Sequence, residues 1–191
     1  MDLLLIRHAL PVRIDEGDGP ADPDLSEEGR RQAEALAGWL MGDGIEAVVA
    51  SPLKRAQQTA EPLAERFGLD VATVDGLAEF DREAPWYVPI EELKAADDPR
   101  WHAMIRGEWD LDPEAFQRGV VDAVDELIEA NPGGTVAAVC HGGVINAYLS
   151  AMLGLDSLMF FFPEYTSVSR VRASRRGARS IVTLNETGHL R

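Results

Sequence analysis

Three short apolar runs constrain this chain most: Leu3 to Ile6, Val48 to Ala50 and Val136 to Val139 show no polar alternation, so each needs apolar cover on both faces. Over so few residues a buried helix would show the same pattern. A parallel strand nevertheless fits the surroundings, because helix signals separate the runs. Each run leads into residues that can do chemistry: Arg7-His8 after the first, Ser51 through Arg55 after the second, and Cys140-His141-Gly142-Gly143 after the third. In a parallel α/β sheet the carboxyl ends of the strands meet at one crevice, so these segments are expected to share a pocket.

The helix signals support that reading. Ser26 is placed to cap a helix whose first turn carries Glu27 and Glu28, with Ala33, Leu36, Ala37 and Leu40 on one face and Gly42 and Gly44 as stops. Ser51-Pro52 reads as a second helix start, with the serine as cap and the proline in the first turn. Ala56, Ala60, Leu63, Ala64 and Phe67 form its stripe, and Gly68 ends it. Val71 to Val74 is a third short strand. The alternation of strand and helix predicts right-handed βαβ crossovers. A helix over roughly 113 to 130, carrying Phe116, Val120, Val124, Leu127 and Ile128, leads through Asn131-Pro132-Gly133-Gly134 to the strand ending at His141. Gly142-Gly143 then opens a helix through Leu153. Two last strands, Ser167 to Ala173 and Ser180 to Leu184, flank an arginine-rich turn that reads as a solvated hairpin tip.

Two stretches are irregular. Residues 13 to 24 are acidic and broken by glycine and proline, which reads as a loop. Residues 79 to 116 form a looser excursion with about two helical pieces and three of the four tryptophans, Trp86, Trp101 and Trp109. It is expected either to wall or cover the pocket or to anchor a satellite core.

With 191 residues and no compositional break, one domain over 1-191 is expected. The formal charge of −15 argues against nucleic acid or an anionic membrane as partner, and any phosphate site must be a local basic island. One cysteine, Cys140, excludes an intramolecular disulfide. No apolar stretch reaches membrane-spanning length or reads as a signal peptide, so a cytoplasmic protein is expected.

Two imidazoles and two guanidiniums in one pocket suit phosphoryl transfer. The planar forks of Arg7 and Arg55 can each bind two phosphate oxygens. Neutral histidine is a good nucleophile near pH 7, which makes His8 the candidate, with His141 donating to the phosphoryl oxygens. The leaving alcohol needs a proton from an acid of raised pKa; Glu79, Asp81 and Glu83 all compete by position. Backbone amides at Gly142 and Gly143 would add donors at a helix start. The scheme calls for no cofactor and no metal. Arg55 could instead lie exposed on its helix, paired with Asp24 or Glu61. Cys140 should face away from His141 into the core, and His102 and His189 have no assigned role. Strand alternation would send Arg7 and His8 to opposite faces, so the strand must end near Arg7.

Five ordered segments carry a resemblance: Leu-Leu-Ile-Arg7-His8, Leu25-Ser26-Glu-Glu-Gly29-Arg-Arg-Gln32-Ala33, Ser51-Pro52-Leu53-Lys54-Arg55-Ala56-Gln57-Gln58-Thr59-Ala60, Leu77-Ala78-Glu79 and Cys140-His141-Gly142-Gly143. Together they resemble the histidine phosphatase superfamily, the phosphoglycerate mutase-like fold. The resemblance implies a three-layer α/β/α sandwich with a mostly parallel sheet and a phosphoryl group carried on His8. It also implies a phosphate pocket completed by Arg7, Arg55 and His141, and Glu79 as proton donor. The segment after His8 departs from the family pattern of Arg-His-Gly followed by Glu or Gln and a hydroxyl residue; here it is Ala9-Leu10-Pro11. Arg13 is the candidate to replace those polar groups in part. A phosphatase acting on a small phosphorylated metabolite or a phosphorylated protein side chain is the leading expectation. A binder that has lost turnover and a phosphoglycerate-type mutase are the alternatives.

Overall fold

A computed structural model describes residues 1–108, 112–174 and 176–191. Trp109 of the excursion and Arg175 of the arginine-rich turn lie outside the described residues. Six strands form one sheet: β1 (Asp2–Arg7), β2 (Ala47–Ala50), β3 (Val71–Thr73), β4 (Thr135–Cys140), β5 (Val168–Ala173) and β6 (Arg179–Glu186). Their order across the sheet is β3-β2-β4-β1-β5-β6. The first four strands pair in parallel, while β5 runs antiparallel to β1 and to β6.

Alternation along the strands assigns the two cores. Leu4, Ile6, Val48, Ala50 and Val139 pack with Leu36 and Ala37 of α1 (Glu27–Trp39) and with Ala56, Ala60 and Leu63 of α2 (Lys54–Phe67). On the opposite face, Leu3, Leu5, Val49, Val136 and Ala138 pack against Val120, Val124 and Ile128 of α5 (Pro113–Ala130). Val144, Ile145, Tyr148 and Leu149 of α6 (Gly142–Leu153) complete that layer. Burying each such large side chain contributes about 1.5–3 kcal/mol, which is why the central strands read as unbroken apolar runs. Cys140 lies in this second core, as its place in the alternation requires.

The expected excursion holds α3 (Ile90–Ala95) and α4 (Pro99–Ile105) and stands over the carboxyl end of the sheet. Backbone bonds tie it to the loop after β1: Ile14 and Tyr87 exchange N–H and carbonyl at 2.8 Å each way, and Ala21 N–H donates to Ala84 O at 2.7 Å. One helix start differs from expectation. The second helix begins at Lys54 with Leu53 as its cap, and Ser51 makes no cap. Its position one residue past β2 sends the hydroxyl to a different task, described below.

Candidate active site

Register explains how residues distant in sequence meet. Arg7 pairs with Cys140 across β1 and β4, and Ala50 of β2 pairs with Val139. The ladder runs one step further, with His8 N–H donating to Cys140 O at 2.9 Å and Ser51 N–H to Val139 O at 3.0 Å. His8, Ser51 and His141 therefore leave the sheet at one level. The rings of His8 and His141 lie 5.0 Å apart, centroid to centroid. Because β1 ends at Arg7, Arg7 and His8 both line one cavity of about 550 Å³, together with Arg55, Glu79 and Gly142. Arg55 is 1% exposed and, among the described residues, its one ion pair is with Asp81 at 3.3 Å; the surface pairing with Asp24 or Glu61 does not occur.

The surroundings of His8 set its tautomer and its charge. Its Nδ1 lies 2.8 Å from Ala9 O, which assigns the proton to Nδ1 and leaves the Nε2 lone pair free. Burial, reinforced by the charges of Arg55 and Arg7, holds the ring far below its ordinary pKa, so the imidazole is neutral at pH 7. The loop behind it is fixed at every step. Ala9 N–H donates to Thr59 Oγ1 at 2.9 Å, Leu10 N–H to Gln32 Oε1 at 3.0 Å, and both the N–H and the hydroxyl of Ser26 reach Leu10 O.

His141 is fully buried, and its pKa is lowered by burial and then by Arg55. Ser51 Oγ lies 2.7 Å from Nε2 and accepts from Leu53 N–H at 3.3 Å. When the Ser51 hydroxyl donates to Nε2, the His141 proton sits on Nδ1. His141 Nδ1 and Arg55 Nε are two of six buried side-chain polar atoms that have no hydrogen-bond partner among the described residues.

Two tyrosines orient the guanidiniums. Arg7 stacks 3.7 Å over the Tyr165 ring, Arg55 lies 4.8 Å over Tyr87, and the two hydroxyls meet at 3.3 Å. Arg7 also donates to Pro163 O at 2.6 Å and to Glu91 at 3.0 Å. Thr166, at φ 57°, holds the turn beside Tyr165; its N–H donates to Arg7 O and its hydroxyl to Tyr165 O. A β-branched residue in that region is strained, and these bonds hold it there.

All three competing acids line the cavity, and of them Glu79 is the buried one. Its side chain accepts from Gly143 N–H at 2.9 Å and from Phe80 N–H at 3.1 Å. Burial first, and the neighbouring Asp81 second, raise its pKa to about 7. Asp81 is instead paired with Arg55, and Glu83 with Arg82 at 3.3 Å.

A family model described as the histidine phosphatase superfamily (branch 1) matches residues 3–187. The chain belongs to the histidine phosphatase superfamily. Bifunctional protein Rv2228c of Mycobacterium tuberculosis is 34% identical over 199 residues, a match covering 98% of this chain and 54% of that protein. The chain thus spans about half the length of the first curated relatives it matches. Phosphoserine phosphatase 1 of Hydrogenobacter thermophilus is 32% identical over 205 residues, covering 98% and 93% of the two chains. Among solved structures, mycobacterial glucosyl-3-phosphoglycerate phosphatase Rv2419c in complex with inorganic phosphate superposes with a TM-score of 0.77. It has 26% identity, and the match covers 98% of each chain.

Two expectations for this histidine phosphatase superfamily member need correction. Arg13 does not line the cavity: its guanidinium lies at the surface between Asp15 and Glu92, the latter at 2.8 Å, because the acidic loop and α3 offer it partners first. The Gly143 amide is engaged by Glu79 and is not an open donor for phosphate. Ser51, Thr59, Gln32, Tyr87 and Tyr165 were not singled out as site residues from sequence. Ser51, Thr59 and Gln32 lie inside the segments that carry the family resemblance, so a signal for them existed. The tyrosines sit in irregular stretches with none.

Proposed function

We propose that this chain is a phosphomonoesterase that needs no metal ion and passes the phosphoryl group through His8. Arg7 and Arg55 bind the phosphate dianion, and His141 donates from Nδ1 to a phosphoryl oxygen. The Nε2 lone pair of His8 forms the N–P bond as the P–O bond to the alcohol breaks, and protonated Glu79 gives its proton to the departing oxygen. In the second half, the Glu79 carboxylate takes a proton from water as the water oxygen attacks phosphorus. The N–P bond then breaks, and phosphate leaves with His8 neutral again. The substrate is a small phosphorylated metabolite or a phosphorylated side chain, the chain acts as one domain, and its place is the cytoplasm.

One observation carries this reading: a neutral imidazole with its Nδ1 tied to a carbonyl stands among two buried guanidiniums, beside a carboxyl whose pKa is near 7. The names of the relatives point the same way. The experiment is a panel of phosphomonoesters assayed for phosphate release without any bisphosphate primer, on wild type, His8→Ala and Glu79→Ala. Wild type is expected to turn over, His8→Ala to lose turnover, and Glu79→Ala to fall by about 10²–10⁴-fold on alkyl esters. Isomerisation that requires a primer would establish the mutase instead. Tight vanadate binding with no hydrolysis anywhere in the panel would establish the binder.

A further inference from the structure

The cavity is much larger than its phosphate end. At about 550 Å³ it falls in the range that encloses a drug-sized ligand, of roughly 300–1,000 Å³. Beyond Arg7, His8, Arg55 and Glu79 its walls turn apolar. Trp86, Leu93 and Met104 come from the excursion, and Met159 and Phe162 from the stretch between α6 and β5. Water against such walls is readily displaced by apolar surface.

Charge at this far end is equally informative. Arg100 is the one cation besides Arg7 and Arg55 among the described lining residues. Its fork already holds Asp98 in two bonds, Nε to Oδ1 at 2.9 Å and Nη2 to Oδ2 at 2.8 Å, and it stacks 4.6 Å over Trp86. The other charged groups from the excursion that line the cavity are Glu83, paired with Arg82 at 3.3 Å, and Glu108, held by Arg106 at 2.6 and 2.8 Å. A carboxylate on the substrate would find no free cation there among the described residues, because each of these charges already has its partner.

We infer that the alcohol part of the substrate is bulky and largely apolar, with no second anionic group. This rests on the phosphomonoesterase reading and narrows it: esters such as phosphoserine or 3-phosphoglycerate, which carry a carboxylate, fit the cavity poorly. An aromatic or branched hydrocarbon body of several rings or chain carbons fits it well.

The test must separate binding from leaving-group reactivity, so the esters compared are all phosphates of primary alcohols: 2-phenylethyl phosphate, phosphoserine and 3-phosphoglycerate. Wild type is expected to show a kcat/KM at least tenfold higher for 2-phenylethyl phosphate than for either acid. Binding of the non-hydrolysable 3-phenylpropylphosphonate and 2-amino-4-phosphonobutanoate is measured by calorimetry alongside, and the apolar phosphonate is expected to bind at least tenfold tighter. Met104→Arg, which sets an unpaired cation in the apolar wall, is expected to narrow both ratios. Equal or reversed preferences in wild type would overturn the inference while leaving the phosphatase reading intact. No turnover of any ester, with the apolar phosphonate still preferred, would sustain the apolar subsite and remove the phosphohistidine chemistry.

Discussion

The reactivity assigned to His8 comes from its neighbours: the Ala9 carbonyl fixes the tautomer, and burial with Arg55 and Arg7 keeps the ring neutral. Glu79 is tuned in the opposite direction, and the two shifts together define a working range. The proposed mechanism requires Glu79 protonated and His8 unprotonated, so kcat/KM should fall as pH rises through about 7 and fall again only well below 6.5. Glu79→Gln should lower kcat by about 10²–10⁴-fold on alkyl phosphates but far less on p-nitrophenyl phosphate, whose phenolate leaves without a proton. Equal losses on both substrates would show that Glu79 serves binding and not proton transfer. At this scale the sequence was legible where chemistry follows a regular element: Arg7, His8, Arg55 and His141 stand at strand ends or a helix start. Choosing Glu79 over Asp81 took the family resemblance, because their difference lies in burial and partners that sequence position does not encode. Arg13 was misplaced for the same reason, since its acidic partners Asp15 and Glu92 are brought to it by the fold.

Two glycines show how the elements hold the site. A Cβ on Gly29 of α1 would lie 2.0 Å from Leu10 O, so the helix that pins the loop after His8 can approach it only without a side chain there. Gly29→Ala should destabilise the protein by about 1–3 kcal/mol, measured by chemical denaturation, and should lower activity at temperatures where the fold persists. A Cβ on Gly143 would lie 2.2 Å from Glu79 Oε1 and 2.7 Å from the Phe80 ring, and it would push the acid out of place. Gly143→Ala should therefore lose kcat on alkyl phosphates much as Glu79→Gln does, while phosphate affinity changes little; wild-type turnover would contradict that placement. The βα units were readable because strand and helix periods differ and the helix signals at Ser26 and Gly68 are strong. The wall over residues 79–108 was readable only as two helical pieces. Its shape is set by long-range bonds, such as those between Ile14 and Tyr87, that leave no local periodicity.

Across the whole molecule, the site concentrates buried ionisable groups within a chain of formal charge −15, and folding stability should register them. The native state keeps His8 and His141 neutral below pH 6.5, where the unfolded chain binds their protons. Each ring therefore costs about tenfold in the folding equilibrium per pH unit of acidification below that point. Glu79 works the other way. Held near 7 against an ordinary value of 4.5, it favours the native state increasingly as pH falls from 7 to 4.5. Denaturation midpoints should thus decline between pH 6.5 and 5 in wild type and more steeply in Glu79→Gln, where the opposing contribution is gone; parallel profiles would contradict the burial of that acid. The layered fold and its two cores were legible because alternation and stripe positions decide them, whereas the size and apolar lining of the cavity emerge only when distant loops meet. The gathering of His8, Arg7, Arg55 and His141 around one bound anion is tested most directly by trapping the reaction. Wild-type protein mixed rapidly with a turned-over phosphomonoester and quenched in base should carry one phosphoryl group on His8, stable to alkali and lost in acid, and absent from His8→Ala. Phosphate release by wild type with no such adduct, or an adduct that survives in His8→Ala, would contradict it.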